Sequence, residues 1–163
     1  MSARHRLRRA ILLLPLFLTS LLACHESPTD SGELLPLRDV FRDAHAAVSP
    51  RRFEVINNAQ RWQEVWREIH PADLLLAQPA PPAVDFTRES LVYAAYGEDI
   101  NGCYGIDITE AQMQGAVIKV TVEEVQLTAC SCTHALTYPV IAAAVPIPNA
   151  HAEFRTKTVT PCR

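Results

Sequence analysis

Beyond residue 50 the apolar positions fall into two periods, and the switches between them outline a domain. RRFEVI, residues 51–56, puts Phe53 and Val55 on one side of an extended chain, the two-residue period of a short strand. Asn57 and Asn58 then offer a helix cap, and in AQRWQEVWREIH the residues Trp62, Val65, Trp66 and Ile69 recur at i, i+3, i+4 and i+7. That spacing is one face of an amphipathic helix. Tryptophans so placed are expected in the core rather than on a ligand platform. The stretch PADLLLAQPAPPAVDF follows, where repeated proline blocks regular structure.

From Ser90 the two-residue period returns. SLVYAAYG (90–97) is apolar on both faces, which suits a central strand. CYGIDI (103–108) sets Tyr104, Ile106 and Ile108 against Asp107. AVIKVTVEEVQL (116–127) alternates through Ile118, Val120 and Val122, then changes parity to Val125 and Leu127, which predicts a β-bulge at Glu123-Glu124. LTYPVIAAAVPI (136–147) carries Pro139 and Pro146 and is expected at a sheet edge or broken. AEFRTKTV (152–159) closes the chain. Upstream, LRDVFRDAHAAV (37–48) has Leu37, Val40, Phe41 and Ala44 at helical spacing between Pro36 and Pro50, as in a short helix or a packed loop. Together these elements predict an α+β fold. Residues 37–163 form a single small domain, a sandwich-like antiparallel β-sheet with one amphipathic helix packed on it. The short connections after residue 103 predict consecutive strands as antiparallel neighbours.

The first residues carry a different signal. Arg4, Arg6, Arg8 and Arg9 precede an apolar run from Ala10 to Ala23, the plan of a secretory signal peptide over residues 1–23. The run is short for a membrane span, which takes about 20 residues, and it has no polar face to make it a core helix. Leu21-Leu22-Ala23-Cys24 resembles the lipobox of bacterial lipoproteins. The resemblance implies cleavage before Cys24, acylation of its thiol and usually of the new amine, and anchoring of the chain to a membrane by those acyl groups. His25 rather than Asp after the cysteine favours the outer membrane by analogy with enteric lipoproteins. Residues 24–36, polar and rich in Ser, Pro, Asp and Glu, are expected to be a flexible tether.

Charge changes the picture once the leader is removed. Four of the fifteen Lys and Arg residues lie in it and none of the eighteen Asp and Glu, which leaves a formal charge of −7. Such a chain is a poor polyanion binder, so no nucleic-acid partner is expected. Cys24 is taken by lipid, and the even remainder of Cys103, Cys130, Cys132 and Cys162 in an exported protein predicts two disulfides. Cys130 and Cys132 are too close in sequence to bond to each other without strain. Antiparallel neighbours favour Cys103–Cys130 with Cys132–Cys162, and Cys103–Cys132 with Cys130–Cys162 is the competing pairing. A zinc site from these thiols and His134 is disfavoured, since structural zinc usually takes C-x₂₋₄-C spacing and C-x-C is tight for it.

No G-x-S-x-G elbow, P-loop or H-x-x-x-H pair occurs, and Glu98-Asp99 and Glu123-Glu124 fit a turn and a bulge better than an acid–base dyad. Neither catalysis nor a cofactor is expected. VINNAQRWQEVW, VDFTRESLVYAAYGE, NGCYGIDI and LTYPVIAAAVPIP occur in an order that resembles the PrcB family of bacterial envelope lipoproteins, named for a subunit of a surface protease complex. The family's positions are filled here by Trp62 and Trp66, Asp85 and Phe86, Gly97, Gly102 and Tyr104, and Thr137 and Pro139. Cys103 between the glycine and the tyrosine, the C-x-C and Cys162 depart from its pattern. The resemblance implies a non-catalytic accessory subunit that binds another envelope protein, such as a protease. The alternative is a chagasin-like protease inhibitor that presents the loop GEDINGCYG (97–105). A plug of that kind needs an exposed apolar tip, whereas the charged residues of this loop suggest an ordinary hairpin entry.

Overall fold

The computed structural model describes residues 32–72, 78–127 and 131–160. It is an α+β domain of two four-stranded sheets and one helix. In chain order the elements are β1 (Glu33–Leu34), β2 (Arg38–Asp43), β3 (Arg52–Ile56), α1 (Ala59–Ile69), β4 (Ser90–Ala95), β5 (Tyr104–Gln114), β6 (Val117–Gln126), β7 (Val140–Val145) and β8 (Ala152–Val159). One sheet runs β1-β5-β6-β8 and the other β2-β7-β4-β3. They are called the outer and the central sheet below. The lipidation candidate Cys24 and residues 1–23, where a signal peptide is expected, lie outside the described residues.

The central sheet is covered twice. One face packs against the outer sheet, where Val92, Ala94, Ile141, Ala143 and Val145 meet Ile106, Ile108, Val120 and Val122. Its other face offers Leu91, Tyr93, Ala142 and Ala144 to Trp62, Val65, Trp66 and Ile69 of α1. Double coverage is why β4 and β7 read as unbroken apolar runs, every residue of both being buried. Small alanines face the two indoles, a large-against-small match that lets the helix pack closely.

α1 forms where the periodicity predicts it. Asn58 Oδ1 accepts the Arg61 backbone N–H at 2.8 Å, relieving one of the four orphan donors of the first turn. Charged pairs fasten the helix to the edge strand β3: Arg61 Nη2 donates to Glu54 Oε2 at 2.9 Å, and Arg52 Nη1 lies 2.7 Å from Glu68 Oε2. The indole N–H groups then hold the proline-rich crossing. Trp62 Nε1 donates to Pro82 O (3.0 Å) and Trp66 Nε1 to Pro79 O (2.7 Å).

Four local expectations need correction. Residues 38–43 are strand β2, not helix or loop; a register shift between Asp39 and Phe41 puts Val40 and Phe41 both towards the helix layer and mimics helical spacing. β7 is central rather than an edge, because Pro139 and Pro146 flank its six residues without entering the ladder. Consecutive strands are not all antiparallel neighbours. β5 and β6 form a hairpin, but the chain then crosses to the central sheet as β7 and returns as β8, parallel to β6. The bulge lies on β5 at Thr109, between Ile108 and Glu110, and not at Glu123-Glu124. Glu124 instead keeps the inward parity and its carboxylate pairs with Arg51.

The sheet also begins earlier than expected. Glu33 and Leu34, inside the segment assigned to a tether, pair with Met113 and Gln112 of β5. Leu35 and Leu37 pack on the inter-sheet core before the chain crosses to β2.

Candidate functional site

The features that chemistry singles out gather at the end of the sandwich where β4 leaves and β5 begins. Tyr96 N–H donates to Pro139 O (2.9 Å), and Glu98 N–H to Ser49 O (3.1 Å). Gly97 between them has φ +99°, and a Cβ there would lie 2.9 Å from Ser49 O, so conformation and space both require glycine. Asp99 and Thr137 then exchange two backbone hydrogen bonds of 2.9 Å each. Thr137 Oγ1 donates to Asn101 O (3.0 Å), and Tyr138 Oη donates to Glu98 Oε2 (3.1 Å). Partial burial and that carboxylate hold the Tyr138 phenol above its ordinary pKa.

The tip beyond this bridge is tied twice more. Gly102 N–H donates to Thr133 O (2.9 Å), and a Cβ on Gly102 would come within 2.4 Å of Thr133 Oγ1. A disulfide joins Cys103 to Cys132, with Cα atoms 5.3 Å apart and a sequence separation of 29. This corrects the favoured pairing of Cys103 with Cys130. The favoured pairing assumed an unbroken meander, whereas here residues 131–134 fold back beside Gly102 on the way to the central sheet. Cys130 and Cys162 lie outside the described residues. β8 ends opposite Val125, so the chain leaves the outer sheet at this same end.

What the fastening presents is apolar. Ile100 is 76% exposed and Leu136 53% exposed. Asp99 and Thr137 form an isolated antiparallel bridge, and Ile100 and Leu136 are their immediate chain neighbours on the side away from the sheet. The charged appearance of GEDINGCYG therefore misleads about its tip. Ile100 is a lone apolar residue among turn formers, and that isolation is the signal the periodicity misses.

Beside the tip a hollow of about 200 Å³ runs along the β5 backbone from Gly102 to Asp107, with Val125 and Leu127 on one side and Arg42 at its end. Arg42 Nη2 donates to Asp107 Oδ1 (2.9 Å), which raises the guanidinium's pKa further. Across the domain a wider groove of about 610 Å³ is lined by Arg38, Asp85, Arg88, Glu89 and Pro146. It is mostly occupied with its own interactions: Arg38 pairs with Glu89, and Asp85 caps Thr87, a bond that lowers its pKa. Among the described residues no three His, Cys, Asp or Glu side chains converge as metal ligands, and no helix is long and apolar enough to cross a membrane.

The motif positions turn out to be structural. Trp62 and Trp66 are core, Phe86 packs against the helix layer, and Gly97, Gly102 and Thr137 shape the tip. No protein-family model matches this chain, and neither the curated proteins nor the solved structures contain a match.

Proposed function

We propose that this domain is a non-catalytic envelope lipoprotein that docks on another envelope protein through its Ile100–Leu136 tip. The observation that carries the reading is the exposure of two apolar side chains on two segments held together by a disulfide and a reciprocal backbone bridge, beside a turn at Gly97 that requires glycine. Exposed apolar groups on a rigid segment lose little conformational entropy on binding, which is how interface anchors gain affinity. The lipobox-like Leu21-Leu22-Ala23-Cys24 supports anchoring through Cys24, with the outer membrane as location. The order of motifs supports kinship with the PrcB family and hence the role of accessory subunit to a protease.

The exposed Ile100 also favours the second reading, a chagasin-like inhibitor whose 97–105 loop enters a protease cleft. One experiment separates the two. Envelope extracts are passed over immobilised wild type and over the Ile100→Asp, Leu136→Asp double variant, and protease activity of the bound fraction is assayed. An accessory subunit retains a specific protein that stays active and is lost with the double variant. An inhibitor retains a silenced protease. Equal capture by both proteins rules out the tip as the docking surface.

A further inference from the structure

β5 is paired along its whole length on one side only. On the other side β1 covers just Gln112 and Met113, with Leu35 N–H adding a bond to Ala111 O, before the chain turns away at Pro36. Among the described residues no strand covers that edge from Tyr104 to Ile108. The phase of the ladder says which groups are left open. Leu127 N–H donates to Cys103 O, and Gly105 and Asp107 stand opposite Val125 and Glu123 in the same phase. Alternation therefore turns the N–H and C=O groups of Tyr104, Ile106 and Ile108 away from β6, towards the open edge. The bulge at Thr109 reverses the phase, which is why Ala111 O can meet Leu35.

The same stretch lacks a side chain where a neighbouring strand would need room. Tyr104, Ile106 and Ile108 pack inward, so Gly105 lies on the outward face, floored by Val125. The nearest atom to a Cβ on Gly105 is Val125 Cβ at 3.6 Å, and the hollow of about 200 Å³ opens there. For a strand added to this edge, the residue opposite Gly105 falls in a non-hydrogen-bonded pair, whose side chains approach most closely. A large apolar or aromatic side chain at that position would lie across the glycine onto Val125 and Leu127, as aromatic residues cover edge glycines elsewhere.

We infer that the Tyr104–Ile108 edge of β5 accepts an extended peptide segment of a partner protein as an added strand, with a bulky apolar side chain seated over Gly105. The open backbone groups supply affinity and the glycine hollow supplies specificity, the division of labour in recognition by strand addition. The edge is continuous with the Ile100 tip, so the inference rests on the reading of this end as the binding end. It names the partner's chemistry: an extended, exposed segment with alternating side chains, not a folded cleft. Arg42, roughly half exposed, bounds the hollow through its pair with Asp107, and an ion pair so hydrated is readily displaced.

The test is a fluorescence-anisotropy titration with a labelled heptapeptide, Lys-Thr-Val-Phe-Val-Thr-Lys. Controls are the same peptide with alanine for phenylalanine and one with its ladder-forming amides N-methylated. Saturable binding is expected, weakened by roughly tenfold or more for the alanine peptide and lost for the methylated one, with slowed amide exchange at Tyr104, Ile106 and Ile108. Gly105→Val should abolish binding. Gly105→Ala, whose Cβ meets Val125 at ordinary contact distance, keeps the fold and should weaken binding. No saturable binding, equal affinity for the methylated peptide, or self-association of the protein through this edge would overturn strand addition. The Ile100→Asp, Leu136→Asp variant is run beside the wild type in the envelope-extract capture assay. If capture of an envelope protein depends on that tip while the peptide fails, only the strand-addition inference falls; peptide binding without tip-dependent capture removes the docking reading instead.

Discussion

Asp99 and Thr137 exchange two backbone hydrogen bonds of 2.9 Å, and their chain neighbours Ile100 and Leu136 stand in water. The buried threonine, 3% exposed, adjoins exposed Leu136 in the chain, and its bridge partner Asp99 adjoins exposed Ile100. A loop built for solubility alone would reverse that order. Thr137 anchors and Ile100 presents, and the testable consequences begin with the scaffold that keeps them so.

Trp66 should be a keystone of the helix layer. It is almost fully buried, meets Phe41 edge-on at 4.7 Å and donates to Pro79 O. Trp66→Ala should destabilise the domain by about 3–5 kcal/mol in chemical denaturation, the usual cost of deleting a buried aromatic. A loss below about 1 kcal/mol would mean the indole is not core.

The disulfide should matter mainly by constraining the unfolded chain. A closed loop of this length contributes about 3–4 kcal/mol in the chain-entropy picture, a large share of the roughly 5–15 kcal/mol typical of a domain. Cys103→Ser should lower the melting temperature markedly, and chelators should leave it unchanged. Fragment mass spectrometry of protein purified without reductant should find Cys103 joined to Cys132, which leaves Cys130 for Cys162.

Tyr93 gives the domain a pH signature. Its hydroxyl has no hydrogen-bond partner among the described residues. Burial pushes its phenol up to about 12, against the opposing pull of Arg52, whose guanidinium lies 5.4 Å from the ring centroid. The native state therefore holds this proton more tightly than the unfolded chain does. Stability is fully present below pH ~10 and is lost as pH rises towards 12, by roughly 2–3 kcal/mol for such a shift. Tyr93→Phe should be nearly neutral at pH 7, and it should overtake the wild type between pH 10 and 12 in urea denaturation. Parallel curves for the two proteins would contradict this.

Lipidation can be tested apart from the fold. Labelled palmitate should enter the wild type and not Cys24→Ser, and the variant should leave the membrane fraction. Equal labelling of both would remove the anchor.

How much of this was legible in the sequence depended on whether local period and tertiary place agreed. They agree in α1, where the i, i+3, i+4 stripe of Trp62, Val65, Trp66 and Ile69 is the buried face, and in β4, whose apolar run is covered twice. They part in β2, where a bulge between Asp39 and Phe41 puts adjacent apolar residues on one side and imitates a helix. Pro139 and Pro146 suggested an edge because their positions fall next to β7, yet neither occupies it, and Pro139 O still accepts Tyr96 N–H. The parallel return of β8 leaves no local mark in the sequence, and the expected cysteine pairing failed with it. At the candidate site Cys103 and Cys132 were legible as members of a staple, though not as each other's partner. Ile100 was hidden by its charged neighbours, because a two- or four-residue period cannot register one apolar residue in a turn.

The central claim is that the Ile100–Leu136 tip contacts a partner, and site-specific photo-crosslinking in intact cells tests it most directly. A photoreactive phenylalanine analogue replaces Ile100 in one strain and, as a control, exposed Glu153 on β8 in another. One discrete crosslinked envelope protein at Ile100, absent at Glu153 and lost when Leu136→Asp is added, is the predicted result. No adduct at Ile100, or the same adduct at both positions, would contradict the account.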